Sequence, residues 1–409
     1  MKKVLFSLAS AIVLLSSCGS EENVPVSTKT GDLHAQVIFD NITAKAALST
    51  AIPVTNWDNV KKIQLFLYDT TSGAVAFSSI IDPSTATDKI FKWTNVPQGT
   101  YDLALVANIN SATTGGDNVA TSLDGGTSWT KFDAYNVLTK ALNTDLFIDL
   151  KKSTFPAGHT FTGKTAFAPA SEIFTAYAST VKIEEGKTTD LSGAANALKL
   201  KREISLMRIR IDKTDKVDAP ALSSVDFANA NNFLAVENMP IGLGVKVGTF
   251  AGGIYPTASD ADRVMIASEG VNTYNTADPA TGYLPKEIID AQFTLWKDIQ
   301  ILPNATRAEA KAPSADADAA RRYFVVLSGW APVGYVYADG TEAKVAQPVY
   351  WAGSVKGVFS PNIIREVNMT IKSKGYPEIP NPEKEGTLII EVGSPENWNS
   401  NIETEELDV

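Results

Sequence analysis

In this 409-residue chain the dominant local pattern is an alternation of apolar and polar residues. In the segment 33–39, the apolar residues Leu33, Ala35, Val37 and Phe39 occupy every second position. The same period recurs in the segments IQLFLY, GTYDLALVAN, SLMRIRI, RRYFVVL and GTLIIEV. Because successive side chains of a strand point to opposite faces, this pattern predicts half-buried β-strands. The chain is therefore expected to be mainly β, with β-sandwiches and a few short helices outside them.

One segment favours a helix instead of a strand. Residues 131–143, KFDAYNVLTKALN, place Phe132, Tyr135, Leu138 and Leu142 near helical spacing. Apolar residues three or four positions apart lie on one face of a helix, so this segment is the clearest helix prediction.

The length of the chain predicts two domains, because single cores stop growing at about 250–300 residues. The polar stretch 184–197, EEGKTTDLSGAANA, precedes a new strand pattern at Leu198. It favours an N-terminal sandwich over residues 46–195 and a C-terminal sandwich over residues 196–374. The segment KGYPEIPNPEK, 374–384, contains three prolines and predicts an extended linker. Residues 375–409 are then a linker followed by a C-terminal strand.

The N-terminus has the order of a secretory signal peptide: basic, apolar, then small residues. Lys2 and Lys3 precede an apolar run of about a dozen residues, and spanning a bilayer needs about 20. Leu-Ser-Ser-Cys resembles a bacterial lipobox. The resemblance implies that residues 1–17 are removed and that Cys18 carries a covalent lipid, which holds the precursor to a membrane. An ordinary signal peptide that contains a cysteine is the alternative.

Composition limits the chemistry that the chain can perform. Cys18 is the only cysteine, so the body of the protein has no disulfide. The net charge of −10 and the pI of about 4.9 argue against a nucleic-acid partner. With two histidines, a multi-histidine metal site is not expected, and a Ser-His-Asp triad would need His159. We therefore predict no catalytic residue, no metal site and no cofactor besides the lipid.

The two ends of the chain carry similar apolar faces. The face of 33–39 is matched near the C-terminus by Leu388, Ile390 and Val392, which follow the proline-rich linker. Between 33–39 and the next strand pattern, the polar segment NITAKAALSTAIP contains Lys45 followed by Ala46. An exposed loop with one basic residue is a site for a trypsin-like protease.

Several of these stretches, in this order, resemble the FimA-type fimbrilins, which are the stalk subunits of the type V pili of the Bacteroidetes. The stretches that carry the resemblance are the lipobox LLSSC, VKKIQLFLYDTTSG, GTYDLALVANIN, LKLKREISLMRIRI, IIREVNMTIKSKG and the C-terminal GTLIIEV with Trp398. Together they cover most of the chain.

The resemblance implies two transthyretin-like sandwiches and a mechanism of assembly. A lipoprotein precursor reaches the outer membrane, and a trypsin-like protease cuts between Lys45 and Ala46. The cut removes residues 18–45 with the strand that carries Leu33, Ala35, Val37 and Phe39. The C-terminal strand of another subunit, with Leu388, Ile390, Val392 and Trp398, then fills the groove. The family most often has arginine at the cut, whereas this chain has lysine.

The expected product is an extracellular fimbrium of identical or related subunits that supports adhesion to host or bacterial surfaces. Three alternatives stay open. The chain could be a fimbrial anchor that keeps its lipid and its first strand. It could be a monomeric lipid-anchored protein that uses some of its seven tryptophans to bind glycans. It could be a hydrolase that uses His159. On residue pattern alone, 33–39 and 388–392 could also be ordinary strands of resident sheets.

Overall fold

A computed structural model describes residues 29–40, 57, 60–109, 119–122, 129–131, 138–139, 141–142, 147–159, 161–170, 172–193, 195–212, 222–240, 242–244, 259–267, 272–273, 295–305, 321–382, 388–392 and 396–397. Within these residues the chain is mainly β, as the alternation predicted. Two 3₁₀ turns are described over their whole length, Pro83–Thr85 and Thr87–Lys89, and the single residues Trp57, Leu222 and Arg321 are also helical.

The described strands are short to medium in length and are numbered in chain order. They are β1 (Thr30–Phe39), β2 (Val60–Tyr68), β3 (Val75–Ile81), β4 (Ile90–Pro97), β5 (Gly99–Ile109), β6 (Val119–Ser122), β7 (Trp129–Lys131), β8 (Phe147–Leu150), β9 (Thr165–Phe167), β10 (Ile173–Ile183), β11 (Thr188–Leu191), β12 (Leu198–Arg202), β13 (Ser205–Asp212), β14 (Leu234–Pro240), β15 (Leu243–Gly244), β16 (Ser259–Ala267), β17 (Asn272–Thr273), β18 (Leu295–Ile301), β19 (Tyr323–Ala331), β20 (Gln347–Val355), β21 (Ile363–Ile371), β22 (Leu388–Val392) and β23 (Glu396–Asn397).

The largest sheet has eight strands, all from the first half of the chain. Its antiparallel part runs in the order β12, β10, β5, β2, β3, and β1 joins it to β4 and β11. One face carries Leu65 and Leu105 into a core that also contains the buried side chains of β1. The other face carries Phe66 and Val106 into a second core. Because both faces of β2 and β5 are buried, the residues between the inward-facing ones, such as Phe66 and Val106, are apolar as well.

Three further sheets contain the rest of the strands. A six-stranded sheet runs β17, β18, β13, β21, β22, with β23 also paired to β21. A five-stranded sheet runs β20, β19, β14, β16, β9, and a four-stranded sheet runs β15, β8, β6, β7. The second core joins these sheets to one face of the first sheet, through residues such as Ile209, Leu234 and Trp351. The division into domains near residue 195 stays a prediction.

The helix predicted over residues 131–143 is wrong for the part that the structure describes. Lys131 ends β7, residues 138–139 form a turn, and Ala141 bridges Ala74. Thr139 and Leu142 donate backbone N–H groups to the carbonyls of Val75 and Gly73, at 2.9 and 3.0 Å. This segment therefore pairs with the hairpin between β2 and β3. Tertiary pairing outweighs the weak preference that helical spacing expresses.

The start of the proline-rich segment is held against β20 and the hairpin before it. Trp351 Nε1 donates to the carbonyl of Ser373 at 2.9 Å, and Tyr335 Oη donates to that of Lys374 at 2.7 Å. Tyr350 and Tyr376 exchange two backbone hydrogen bonds, of 2.9 and 3.0 Å. The chain that leads to the C-terminal strand therefore leaves the body from a defined place.

Gly375 is the residue on which this anchoring depends most. Its φ is +71°, and a Cβ there would lie 2.5 Å from Val349 Cγ2 and 2.8 Å from Trp351 Cε2. Gly340 has a similar φ of +82°, but a Cβ there would meet nothing within 4 Å. The two positions share the backbone strain and differ in the space around them.

We expect Gly375→Ala to lower the free energy of unfolding by about 1–3 kcal/mol more than Gly340→Ala does, because only the first also clashes. Urea denaturation of the two variants measures this difference. Equal losses in both variants would show that the segment moves away from Val349 and Trp351 freely.

Candidate functional site

The strand β1 is paired along both edges. On one edge it runs antiparallel to β4, and at the same residues it runs parallel to β11, which must lie on the other edge. Farther along, β1 runs parallel to β12. Asp32 and Asp40 donate backbone N–H groups to the carbonyls of Lys187 and Leu200, both at 2.9 Å. Since alternate residues of a strand direct their N–H groups to the same edge, β11 and β12 follow each other along that edge.

The partners of β1 are all distant in sequence. β4 begins more than 50 residues after β1 ends, and β11 and β12 begin about 150 residues after it. The next strand that the structure describes, β2, pairs with β3 and β5 instead. β1 is thus held by non-covalent contacts to the sheet, and its only covalent link to the body is the segment that follows Asp40. The space that β1 occupies, between β4 on one side and β11 with β12 on the other, is called the slot below.

The buried face of β1 is the one that the alternation predicted. Leu33, Ala35 and Val37 are all 0% exposed. Their cross-strand neighbours differ in size: Leu33 lies between Trp93 and Thr189, Ala35 between Phe91 and Leu191, and Val37 beside Leu198. The small side chain of Ala35 lies where the slot is narrowed by large neighbours on both sides, as close packing requires.

Phe39 ends the strand in an aromatic cluster. Its ring centroid is 4.7 Å from that of Trp57 and 5.2 Å from that of Phe174. Lys89 Nζ lies 5.4 Å from the ring centroid of Trp57, close enough for a cation–π contact. Phe39 is partly buried. This end of the slot is therefore a pocket for an aromatic side chain.

The predicted C-terminal strand is present and is paired within its own chain. β22 runs antiparallel to β21, with Val392 opposite Val367 and Ile390 opposite Met369. Ile390 and Val392 pack against the second core but stay partly buried. β22 is at one end of the described six-stranded sheet. Backbone pairing of Leu388 is described, whereas Cys18, Lys45, Ala46 and Trp398 lie outside the described residues, so their roles stay predictions.

His159 is used for packing in this structure. Its Nε2 donates to the carbonyl of Asn231 at 2.7 Å, and its Nδ1 accepts from Tyr350 Oη at 2.7 Å. The ring also contacts Phe233 edge-on, with centroids 4.6 Å apart. Burial lowers the pKa of His159 from 6.5, while the bond to Asn231 acts in the opposite direction. Both ring nitrogens are occupied by structural partners, which gives the hydrolase alternative no support.

Tryptophans whose side chains are described also serve packing. Trp351 is 0% exposed and Trp93 is 3% exposed, while Trp57 contacts Phe39 with the two rings tilted by 46°. No group of three or more metal-ligating side chains occurs among the described residues. Within the same residues, no helix is long and apolar enough to cross a membrane.

Sequence reasoning missed the walls of the slot. Phe91, Trp93 and Leu191 belong to strands that alternate like many others, and nothing in their spacing links them to β1. It also missed Gly31, the buried glycine that pairs with Val96 at the start of the strand. The one sequence signal for a special role of Gly31 was its position, two residues before the first apolar residue of the alternation.

Comparisons with known proteins point to fimbrial proteins. A family model described as fimbrillin-A associated anchor proteins Mfa1 and Mfa2 matches residues 45–238, a little under half of the chain. This match confirms the resemblance to the fimbrilins that the sequence motifs indicated. No curated protein sequence matches the chain.

Solved structures similar to this chain include three from the Bacteroidetes. The fimbrilin FimA of Porphyromonas gingivalis has a TM-score of 0.41 at 11% identity, with 91% of this chain and 98% of FimA covered. The tip fimbrial protein Mfa3 of the same species has a TM-score of 0.36 at 11% identity, with coverages of 90% and 99%. A Bacteroides eggerthii protein provisionally assigned to cell adhesion has a TM-score of 0.44 at 11% identity, with coverages of 91% and 97%.

Truncating the buried face of β1 should destabilise the uncut chain. We expect Leu33→Ala to lower the free energy of unfolding by about 2–5 kcal/mol, as for other large-to-small core substitutions. Gln36→Ala, on the outward face, is the control and should stay within about 0.5 kcal/mol. Urea denaturation measures both. Equal effects would mean that β1 contributes little to the core.

His159 predicts a pH dependence of stability with a definite sign. Because the folded state has the lower pKa, the unfolded state binds the proton more readily. The free energy of unfolding should therefore fall as the pH drops from about 6.5 through the folded pKa. Denaturation at pH 7.5 and pH 5 should show a larger loss in the parent than in His159→Ala. The opposite order would show that His159 is stabilised when charged.

Proposed function

We propose that this chain is a subunit of a fimbrium, with β1 as a strand that is removed by proteolysis and replaced by the C-terminal strand of another subunit. One structural observation carries the proposal. Leu33, Ala35 and Val37 of β1 are fully buried and the strand is paired on both edges, yet it is joined to the body by a single covalent link. One cut in that link leaves every other described strand continuous.

The proposed maturation begins with export and ends with one proteolytic cut. Residues 1–17 direct export, and lipid on Cys18 holds the precursor at the outer membrane. A trypsin-like protease then cuts between Lys45 and Ala46, and residues 18–45 leave with the lipid. The match to the fimbrillin-associated family begins at residue 45, which agrees with a body that starts at the cut. The released subunit is extracellular and needs a new strand.

The free energy of the empty slot drives assembly. Loss of β1 exposes the surfaces that covered Leu33, Val37 and Phe39, and burial of each such side chain contributes about 1.5–3 kcal/mol. The sum, about 5–9 kcal/mol, is comparable with the whole stability of a domain, about 5–15 kcal/mol. The backbone groups of β4, β11 and β12 that face β1 also lose their partners. A cut subunit is therefore expected to bind a replacement strand strongly.

The C-terminal strand would make more hydrogen bonds and bury more apolar surface in a neighbour's slot than it does in its own sheet. In its own chain β22 pairs with β21, and Ile390 and Val392 are only partly buried. In the slot a strand pairs on both edges, and three successive inward positions are fully buried. Exchange thus increases both hydrogen bonding and apolar burial. Head-to-tail contacts of this kind do not close and produce filaments.

A fimbrial anchor is the second candidate, because the matching family model is described by anchor proteins. An anchor would accept or donate a strand at the base of the fimbrium and would keep its own lipid and β1. The two candidates differ in one bond: a stalk subunit is cut after Lys45 in the assembled fimbrium, and an anchor is not.

Controlled cleavage tests the exchange. Lys45 and its neighbours are replaced by the recognition sequence of a site-specific protease, and the purified chain is then cut. We expect the fragment with β1 to separate and a ladder of species that resists SDS without boiling to form. The uncut chain should stay monomeric, because its slot is filled.

A variant of the tail is the matched control. Ile390→Asp should be cut as readily as the parent but should form no ladder, because a carboxylate cannot be buried in the slot without a partner. A cut parent that stays monomeric with β1 bound would refute the exchange. A ladder of equal strength from Ile390→Asp would show that assembly uses another surface.

A further inference from the structure

The first strand and the C-terminal segment share more than an apolar face. Residues 31–37 read GDLHAQV and residues 386–392 read GTLIIEV. Aligned without gaps, the two segments have glycine, leucine and valine at the same three places: Gly31 with Gly386, Leu33 with Leu388, and Val37 with Val392. A strand that replaces β1 in this alignment would keep the inward face of the slot apolar.

The structure shows why the glycine of this pattern matters. A Cβ on Gly31 would lie 2.3 Å from the carbonyl oxygen of Glu184 and 2.8 Å from that of Lys187. Both atoms belong to the backbone of the turn between β10 and β11. That turn is fixed to β1 by hydrogen bonds of 2.9 Å, from Asp32 N to Lys187 O and from Gly186 N to Thr30 O. It cannot withdraw without losing the pairing that holds the strand, so this position of the slot takes glycine.

The glycine requirement selects one register for the C-terminal segment. The sequence from residue 386 to residue 397 contains two glycines, Gly386 and Gly393. If Gly393 took the place of Gly31, Pro395 and Asn397 would fall at the buried positions of Leu33 and Ala35. With Gly386 there, the buried positions receive Leu388, Ile390 and Val392 instead.

On the premise of the strand exchange proposed above, we propose that the tail of a second copy enters the slot in the direction of β1, with Gly386 in the place of Gly31. Gly386 is then the residue that sets the register. The tail runs parallel to β11 and β12 and antiparallel to β4, as β1 does. Glu391 takes the outward place of Gln36, opposite Ile90 of β4.

Two positions of the slot are filled differently in this register. Ile390 replaces Ala35 between Phe91 and Leu191, and Ser394 replaces Phe39 beside Trp57. The side chain in the narrow middle of the slot is therefore larger by three carbon atoms, so Phe91 and Leu191 must shift to admit it, and the aromatic pocket at the end of the slot loses the ring of Phe39. The exchange conserves the register glycine and the two flanking apolar anchors, while the remaining positions repack.

Disulfide trapping tests the register directly. Directly opposite residues of antiparallel strands have Cβ atoms about 4.5–5.5 Å apart, within reach of a disulfide. A chain with Glu391→Cys is mixed with a chain carrying Ile90→Cys, and both are cut by the site-specific protease. Cys18, the only native cysteine, lies in the removed fragment. The 391–90 disulfide between two chains should form and be identified by mass spectrometry.

Lys92→Cys is the matched control for a shifted register. Lys92 lies opposite His34, two residues before Gln36, on the same outward face. The proposal predicts at least tenfold less 391–92 than 391–90 disulfide. A preference for position 92, or for neither position while the ladder forms, would overturn the proposed register.

Substitution of the glycine tests its role separately. Gly386→Val should reduce the ladder at least tenfold, whereas Thr387→Val, at the outward place of Asp32, should assemble like the parent. Equal ladders from Gly386→Val and the parent would overturn the inference while leaving strand exchange intact. A parent chain that forms no ladder after cleavage would refute strand exchange itself and the register with it.

Discussion

The rest of the structure depends on one strand that is central in the sheet and terminal in the chain. β1 supplies hydrogen bonds to β4 on one edge and to β11 and β12 on the other, and it completes the core of the eight-stranded sheet. Interior strands of sandwiches usually connect to neighbours through short turns, which makes them impossible to remove. Here the partners are distant in sequence, and the chain after Asp40 links β1 to the strands that follow. The proposed exchange requires a strand with these properties, because one cut would separate it from the other described strands.

The C-terminal strand has a complementary property, because it is paired with β21 but its apolar side chains Ile390 and Val392 are only partly buried. It covers one end of the six-stranded sheet with two partly buried side chains. Hydrogen bonds from the side chains of Trp351 and Tyr335 to the carbonyls of Ser373 and Lys374, and backbone bonds between Tyr350 and Tyr376, fix the point from which it leaves the body. The proposed exchange moves this strand from a sheet edge, where its apolar side chains are partly buried, to a slot in which they would be fully buried. The shared pattern of glycine, leucine and valine explains how that site would recognise it.

Sequence reasoning could predict the strands but not their neighbours. The alternation at Leu33, Ala35 and Val37 identified the buried face of β1, because period two depends only on local geometry. The same pattern located β22. It could not show that Phe91 and Leu191 flank Ala35, because pairing over 50 to 150 residues leaves no local trace. The helix predicted near Leu138 was wrong for a related reason: its segment pairs with the hairpin between β2 and β3. Gly31 became informative only when the turn at Glu184 and Lys187 was found against it.

The N-terminal residue and intact mass of the protein sheared from its native cell surface test the central claim most directly. The account predicts a chain that begins at Ala46, carries no acyl mass and forms an SDS-resistant ladder before boiling. A chain that begins at acylated Cys18, keeps β1 and never forms a ladder would contradict it.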